Sequence, residues 1–527
     1  MKILLYNFGD YFAPHLETQA DLIQQHLDRG DDVIKLVCNS QMPICRVNTE
    51  HRLMHCSLCL ARRAAIRGLV HPNVQEKTFL NLKVQDRKAI ADFVFDGTTI
   101  DDLKALRFGE FDIGLAVAST VIEETRDAYP KLEPLRQQIS DWIGVSLATY
   151  LSVLNTLEDE RPDCVYVFNG RRTYYRAVLR ACQAKNVDYA CHDGHRNLSR
   201  HTLVKNRLIH NIAGHCAEIE EVWQKGDPAT RFETGSAFFE DQHKGRDLFK
   251  FAQSQQHGVL PETWNPERRN VCIFPGSEFE FASIGDDFIY PFYEDQTQGI
   301  IRLIESLEAA DSPIHLNIRL HPHLKGDDNS SVRKLLSIQS RKATVIPPDS
   351  SVSSYALLFA CEKTLTFGST MGIEAVYWGK PSLMAGRCWY QTLGGTYNPA
   401  SHDELIEMLH ADLVPKPKEA AVKYGYHQLC RGVEHVYYQR EGLWKGKFKG
   451  RDVDDAIPWY WRGVLKLTFS RLSPWLDSLW KVHQRYRRRQ LGIQTIPKNY
   501  ENAKLIGAPV DRKQAETEFF TQIEEAS

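Results

Sequence analysis

Short apolar runs that each end in a polar loop recur in two separate groups along this chain, and few folds accommodate that pattern. In the first group, Lys2–Tyr6 (KILLY) and Val33–Val37 read as buried strands joined by a helical pattern from about Glu17 to Leu27. Residues 111–117 (FDIGLAV) and 164–170 (CVYVFNG) read as further parallel strands, and Val187–Cys191 as another that ends at His192-Asp193-Gly194. The pattern restarts at 271–281 (VCIFPGSEFEF) and continues through Ile314–Leu320, Val345-Ile346 and Lys363–Phe367. Strands alternating with helical stretches predict βαβ units and parallel sheets. The expected fold is therefore α/β, with two Rossmann-like domains and a C-terminal helical tail.

A length of 527 residues suits two or three domains. The expected division is 1–235 for the first Rossmann-like domain, 236–268 for a polar linker, 269–450 for the second and 451–527 for the tail. Hydrophobic content of 43% and charged content of 25% exclude wholesale disorder. A formal net charge of -2 argues against a polybasic nucleic-acid binder, so no nucleic-acid partner is expected. No apolar window approaches a membrane span, and the start resembles no signal peptide. With eight of twelve cysteines scattered singly, a reducing cytoplasm is expected.

The second domain carries the most chemically suggestive loops. Gly368, Ser369 and Thr370 leave a strand and open a helix, where hydroxyls and exposed N–H groups form a ready anion site, with Glu374 one turn on. Arg319 offers a planar multi-donor grip on phosphate, or a salt bridge, and His321 precedes a proline and can donate to a leaving phosphate. A third loop, Pro347–Ser351, is expected beside them, adding Ser351. The loop opening the domain offers Ser277 and Glu278 to donor or acceptor, with Glu278 as a plain helix cap the alternative. No Walker glycine-lysine run is present, which suits nucleotide recognition better than ATP hydrolysis.

A His-Pro loop followed about 45 residues later by Gly-Ser-Thr-x-Gly-x-Glu-Ala-x-x-x-Gly-Lys-Pro resembles the capsule-polysaccharide-biosynthesis group of bacterial glycosyltransferases. Its wider relatives include polysialyltransferases, capsule Kdo transferases and teichoic-acid glycerophosphotransferases, all similar to the two-Rossmann-domain architecture called GT-B. The resemblance is good over 271–381, looser over 1–240, and excludes the tail. It implies two domains facing a cleft, His321 on the donor phosphate, and Ser369, Thr370 and Glu374 on the donor nucleotide. It also implies donor or acceptor contacts from Asn169 and Arg171 in the Asn-Gly-Arg turn.

An inverting transfer needs a base within reach of the attacking hydroxyl. The first domain supplies Glu17, His15 and Asp193 as candidates, with Asp10 in the same loop as the first two. Glu17 sits at a predicted helix start, where the dipole lowers its pKa and favours a cap or ligand contact over a strong base. Asp193 stands one residue from where relatives carry Glu-x-Gly, and with His192 it can also simply order its loop.

Cys38, Cys45, Cys56 and Cys59 fall within 22 residues and can supply four soft ligands. Structural zinc suits them, with an iron–sulfur cluster or two unlinked thiol pairs as alternatives. The tail interleaves Trp459, Trp461, Trp475 and Trp480 with basic residues. That suits either a peripheral contact with an anionic membrane at the inner face of the cell membrane or packing on the first domain. The expected activity is metal-independent, inverting transfer from a nucleotide-sugar, CMP or UDP favoured as the base, to a surface polysaccharide or lipid-linked glycan; no Asp-x-Asp motif at a donor loop demands a metal. Alternatives are a glycerophosphotransferase or sugar epimerase of the same fold, or a non-catalytic nucleotide-sugar-binding component of the polysaccharide machinery.

Overall fold

The computed structural model describes residues 1–7, 9, 13–246 and 255–493. Fifteen strands are assigned among them. They are β1 (Lys2–Asn7), β2 (Asp32–Val37), β3 (Gln75–Thr78), β4 (Cys164–Phe168), β5 (Asp188–Gly194), β6 (Arg200–Lys205), β7 (Arg269–Phe274) and β8 (Ile314–Arg319). There follow β9 (Ala343–Ile346), β10 (Lys363–Thr366), β11 (Ser382–Met384), β12 (Val433–Glu434), β13 (Tyr438–Arg440), β14 (Gly446–Phe448) and β15 (Arg451–Asp452). The chain divides into two compact units: residues 1–125, 129–209 and 432–527 form the first, and 126–128 with 210–431 the second.

Unit 1 holds a seven-stranded sheet in the order β12-β6-β5-β4-β1-β2-β3. β1 to β5 are mutually parallel, whereas β6 and β12 add on antiparallel. The buried run Ile3–Tyr6 and the neighbouring Val165 and Val167 show why near-continuous apolar strands were legible: both faces of this sheet are covered. Unit 2 holds a five-stranded, wholly parallel sheet in the order β11-β10-β7-β8-β9. Its core packs Val271, Ile273, Leu316, Ile318 and Leu365 beneath the helix Gln296–Ala309. Two Rossmann-like α/β units with a C-terminal helical region make the architecture GT-B-like.

Three local expectations differ from what is found. Of residues 111–117, Phe111 forms an isolated bridge with Phe108 and 113–117 open the helix Ile113–Thr125 rather than a strand. A seven-residue apolar run fits either element, and here the run continues to Ile122 and is buried all round as a core helix. Within the expected 236–268 linker, the helix Arg231–His243 reaches past 236 and buries Phe238 and Phe239 beside Tyr424 and Val422. The division between units accordingly falls at Ile209/His210, and the chain re-enters unit 1 at Gly432 rather than continuing to 450 in unit 2.

The tail forms the helices Trp459–Thr468 and Ser473–Leu491. Leu465 packs into the unit 1 core, the N–H of Leu53 donates to Asp477 at 2.9 Å, and Arg488 pairs with buried Asp141. The acidic end of the tail lies outside the described residues. No described helix is long and apolar enough to cross a membrane.

Candidate functional site

In unit 2, β7 and β10 are neighbours, yet the chain winds away from them in opposite directions. The carboxyl ends of such a pair form the topological switch point where open α/β sheets bind ligands. The loop after β7 supplies Ser277 and Glu278, and the loop after β10 supplies Gly368, Ser369 and Thr370. Gly368 has φ +129°, and a Cβ there would sit 2.9 Å from the carbonyl oxygen of Arg387. Only glycine suits that backbone. The Ser369 N–H donates to Thr366 Oγ1 at 2.8 Å, and its own hydroxyl accepts from the Met371 N–H at 3.3 Å. Thr370 is exposed and precedes the seven-residue helix Met371–Tyr377 without a side-chain cap. Glu374 is buried and accepts from the Tyr355 hydroxyl, a partner that no spacing in the sequence announced.

β8 delivers Arg319 and His321 beside this point. Arg319 is 2% exposed, and its guanidinium donates to the carbonyls of Leu320 and Ser350, each at 3.1 Å, and of Pro347. It therefore ties the loop after β9 to β8, and burial lowers its pKa to about 10. Ser351 lies exposed in that loop, and Ser353 rather than Ser351 caps the helix Ser354–Ala360. His321 Nδ1 accepts the His323 N–H at 3.1 Å. That bond leaves the proton of the neutral ring on Nε2, which can only donate. Burial, with His323 and Arg319 nearby, lowers the His321 pKa to about 4, so the ring is neutral at physiological pH.

Ser277 is buried at the start of the helix Glu278–Ala282. Glu278 accepts from the Gln296 N–H at 3.0 Å, from Thr297 Oγ1 at 2.8 Å and from Ser331. It joins three helix starts. Burial and the nearby Asp295 raise its pKa to about 7.

In unit 1 the corresponding switch point lies between β1 and β4. Asp10 falls outside the described residues. The His15 ring lies 4.1 Å from that of Phe168, centroid to centroid, and desolvation holds its pKa well below the usual range. Glu17 is 1% exposed and paired with Arg62, whose Nε also donates to Asp454 at 2.8 Å. Here the expectation of a helix-lowered carboxyl is overturned. Burial raises the Glu17 pKa, because desolvation inside the core outweighs a terminal dipole and the Arg62 charge. Asn169 Nδ2 donates to Asp193 Oδ2 at 2.6 Å, and burial raises the Asp193 carboxyl. Arg171 and Arg172 both pair with Glu123. His192 contacts Gln19 Nε2 at 3.0 Å and is lowered to about 3 by burial.

Cys38, Cys45, Cys56 and Cys59 line one recess with Arg63 and Tyr174 and form no disulfide. Burial raises the thiols of Cys38 and Cys45, and that of Cys56 to about 11. The spacing did bring the four together around a recess. Among the described residues, however, the group of His, Cys, Asp and Glu whose ligand atoms all lie within 4.8 Å of one another is Asp21, His201 and His435.

The sequence profile of the family described as "Capsule polysaccharide biosynthesis protein" matches residues 268–424, which lie in unit 2. A search of curated proteins finds no match. Among solved structures, the KpsC beta Kdo 2,4 transferase of Thermosulfurimonas dismutans shares 12% identity, covering 57% of this chain and 88% of its own, with a TM-score of 0.34. The beta Kdo 2,7 transferase of the same organism shares 13% identity over 60% and 89%, with a TM-score of 0.31. The UDP-GlcNAc 2-epimerase of Neisseria meningitidis shares 13% over 81% and 99%, with a TM-score of 0.22. Similarity this low transfers neither activity nor residue roles.

Proposed function

We propose that this protein is a glycosyltransferase that moves a sugar from a nucleotide-activated donor, CMP- or UDP-linked, to a surface polysaccharide or lipid-linked glycan. The observation that carries this reading is the switch point of unit 2. Two glycine- and serine-bearing loops flank it, and a histidine whose proton sits on Nε2 stands in the loop that leaves the adjacent strand β8. The donor phosphate would take hydrogen bonds from His321 and from the Ser369–Thr370 loop, with Ser277 and Ser351 at its margin. Arg319, Glu278 and Glu374 act as positioning residues, since each is consumed in holding a loop or helix.

Displacement is direct and inverting in this reading. The acceptor hydroxyl attacks the anomeric carbon, the carbon–oxygen bond to the phosphate breaks, and the departing phosphate gains charge. A neutral imidazole aimed at that oxygen helps most when the charge has formed, which is the condition for catalysis. Of the base candidates, Asp193 suits the role best. Burial raises its carboxyl and Asn169 orients it, whereas Glu17 is bound to Arg62 and His15 is held neutral.

The tail supports work at an anionic membrane surface. Leu472, Trp475, Leu479, Val482 and Tyr486 recur at helical spacing, and all are exposed, Trp475 by 62%. Asp477, Gln484 and Arg488 occupy the opposite, inward side, while exposed Arg471, Arg485 and Arg489 flank the apolar stripe. An exposed apolar stripe edged by cations fits a headgroup layer.

The test is thermal stabilisation across CMP-, UDP-, GDP- and dTDP-linked sugars, followed by turnover with the stabilising donor. Stabilisation by one nucleotide family with transfer to a glycan supports the assignment. Stabilisation without any turnover favours a binding component, and interconversion of the free nucleotide-sugar favours an epimerase. Vesicle sedimentation with and without anionic lipid tests the membrane contact separately.

A further inference from the structure

Asp21, His201 and His435 come from three separate elements of unit 1, and no residue of this set serves the site described above. Asp21 lies inside the helix His15–Asp28, His201 on β6, and His435 just past β12. The β6–β12 register pairs Val433 with His201, and the His435 N–H donates to the Ser199 carbonyl at 2.9 Å. Residues 433 and 435 share a face of an extended strand, so His201 and His435 are diagonal cross-strand neighbours. Their ring centroids lie 4.8 Å apart. Gly432 makes this approach possible. Its φ is +81°, and a Cβ would fall 2.3 Å from the His201 carbonyl oxygen.

Asp21 closes the cluster from the helix side. Its Oδ1 accepts the N–H groups of Val436 at 3.1 Å, Tyr438 at 3.2 Å and Tyr437, and its Oδ2 accepts from Gln25 at 2.8 Å. The same Oδ2 stands 3.6 Å from His435 Nδ1. The side chains of Asp21, His201 and His435 are exposed by 0%, 0% and 2%. Both ring nitrogens of His201 and Nδ1 of His435 are nevertheless buried without a hydrogen-bond partner. Such orphaned groups are rare and call for a ligand or a reason. The donor atoms of the two imidazoles and the carboxylate lie within 4.8 Å of one another, and a cation among them would satisfy the orphaned ring nitrogens and the carboxylate charge together.

We propose that Asp21, His201 and His435 form a binding site for one divalent transition-metal ion, with zinc the best match. Two imidazoles and one carboxylate oxygen suit zinc, whose bonds of about 2.0–2.2 Å require the three donors to draw closer by side-chain rotation. The site would act as a staple. It would pin the segment 432–438, where the chain re-enters unit 1, to the helix 15–28 and to β6. This is distinct from the cysteine recess, which would present sulfur alone.

The full-length protein, stripped with a chelator and titrated with zinc or cobalt, decides the matter by metal content, visible absorption and thermal melting. The expected result is one ion per chain that raises the melting temperature, with cobalt giving ligand-field bands and no thiolate charge-transfer band. Cys56→Ser/Cys59→Ser should keep that ion, whereas His201→Asn and His435→Asn should lose it together with the metal-dependent rise in melting temperature. Should the histidine variants fail to fold, X-ray absorption at the zinc edge of the unaltered protein separates a nitrogen–oxygen shell from a sulfur shell. No stoichiometric binding, a sulfur shell, or an ion retained by both histidine variants would overturn the proposal.

Discussion

Each unit carries a wholly or mainly parallel sheet with a switch point, yet the two use their polar residues differently. In unit 2 the candidate residues follow directly from strand ends, and His321 reaches its position through one short loop. In unit 1 the candidates are bound into buried pairs assembled from remote segments. Glu17 meets Arg62, which meets Asp454, and Asp112 receives both Arg176 and Arg180. The lesson is that a polar residue near a switch point is free to serve a ligand only if packing has not already claimed it. Substitutions in the paired residues of unit 1, such as Glu17 and Arg62, should therefore register mainly in stability, and those at His321 and at the proposed base Asp193 mainly in turnover.

The largest effect should come from Arg62→Ala, which strands Glu17 in the core. Breaking such a buried pair costs about 3–5 kcal/mol, read as a lowered denaturant midpoint. An unchanged midpoint would show that Glu17 is not bound in this way and would restore it as a candidate base. His321→Ala should slow transfer by about 100- to 1,000-fold while leaving the melting temperature within a degree or two, as for loss of a single oxyanion donor. A large fall in melting temperature would instead make His321 a structural residue and erase the contrast between the units.

Acidification should come next. The folded pKa values of His192 and His321 lie at about 3 and about 4, below the ordinary value of 6.5. Their unfolded forms bind protons first as pH falls. Stability is thus fully present above about pH 6.5 and is lost as pH drops toward 4. Denaturation monitored from pH 7 to 4.5 should show this decline, and His192→Gln should soften it. A flat profile would refute the buried neutral rings. By the same reasoning, the pH profile of transfer should carry no inflection from His321 between pH 6 and 8. The smallest effect is expected from Gly368→Ala. Strain at a positive φ costs about 1–3 kcal/mol and should weaken donor binding more than it lowers the melting temperature.

Much of the fold was legible because doubly wound sheets bury their strands on both faces, which writes apolar runs directly into the chain. The helix Ile113–Thr125 escaped for the same reason. When every side is buried, neither the 3.6 nor the 2.0 period survives. His321, Ser369 and Gly368 could be located because local spacing and a strand end placed them. Arg319 could be located too, but not its use, since two of its three carbonyl partners, Pro347 and Ser350, lie in a loop that only packing brings beside it.

By itself the chain determined the α/β class, the two Rossmann-like units and the loops that leave their strands, because these depend on burial pattern and short-range backbone preference. Only the tertiary structure decided that Glu17 belongs to Arg62 and that the cysteines surround a recess. Only it, too, brought Asp21, His201 and His435 within 4.8 Å of one another. Those residues are joined by the register of β6 with β12 and by the return of the chain to unit 1, and such long-range pairings leave no periodicity in the sequence to read.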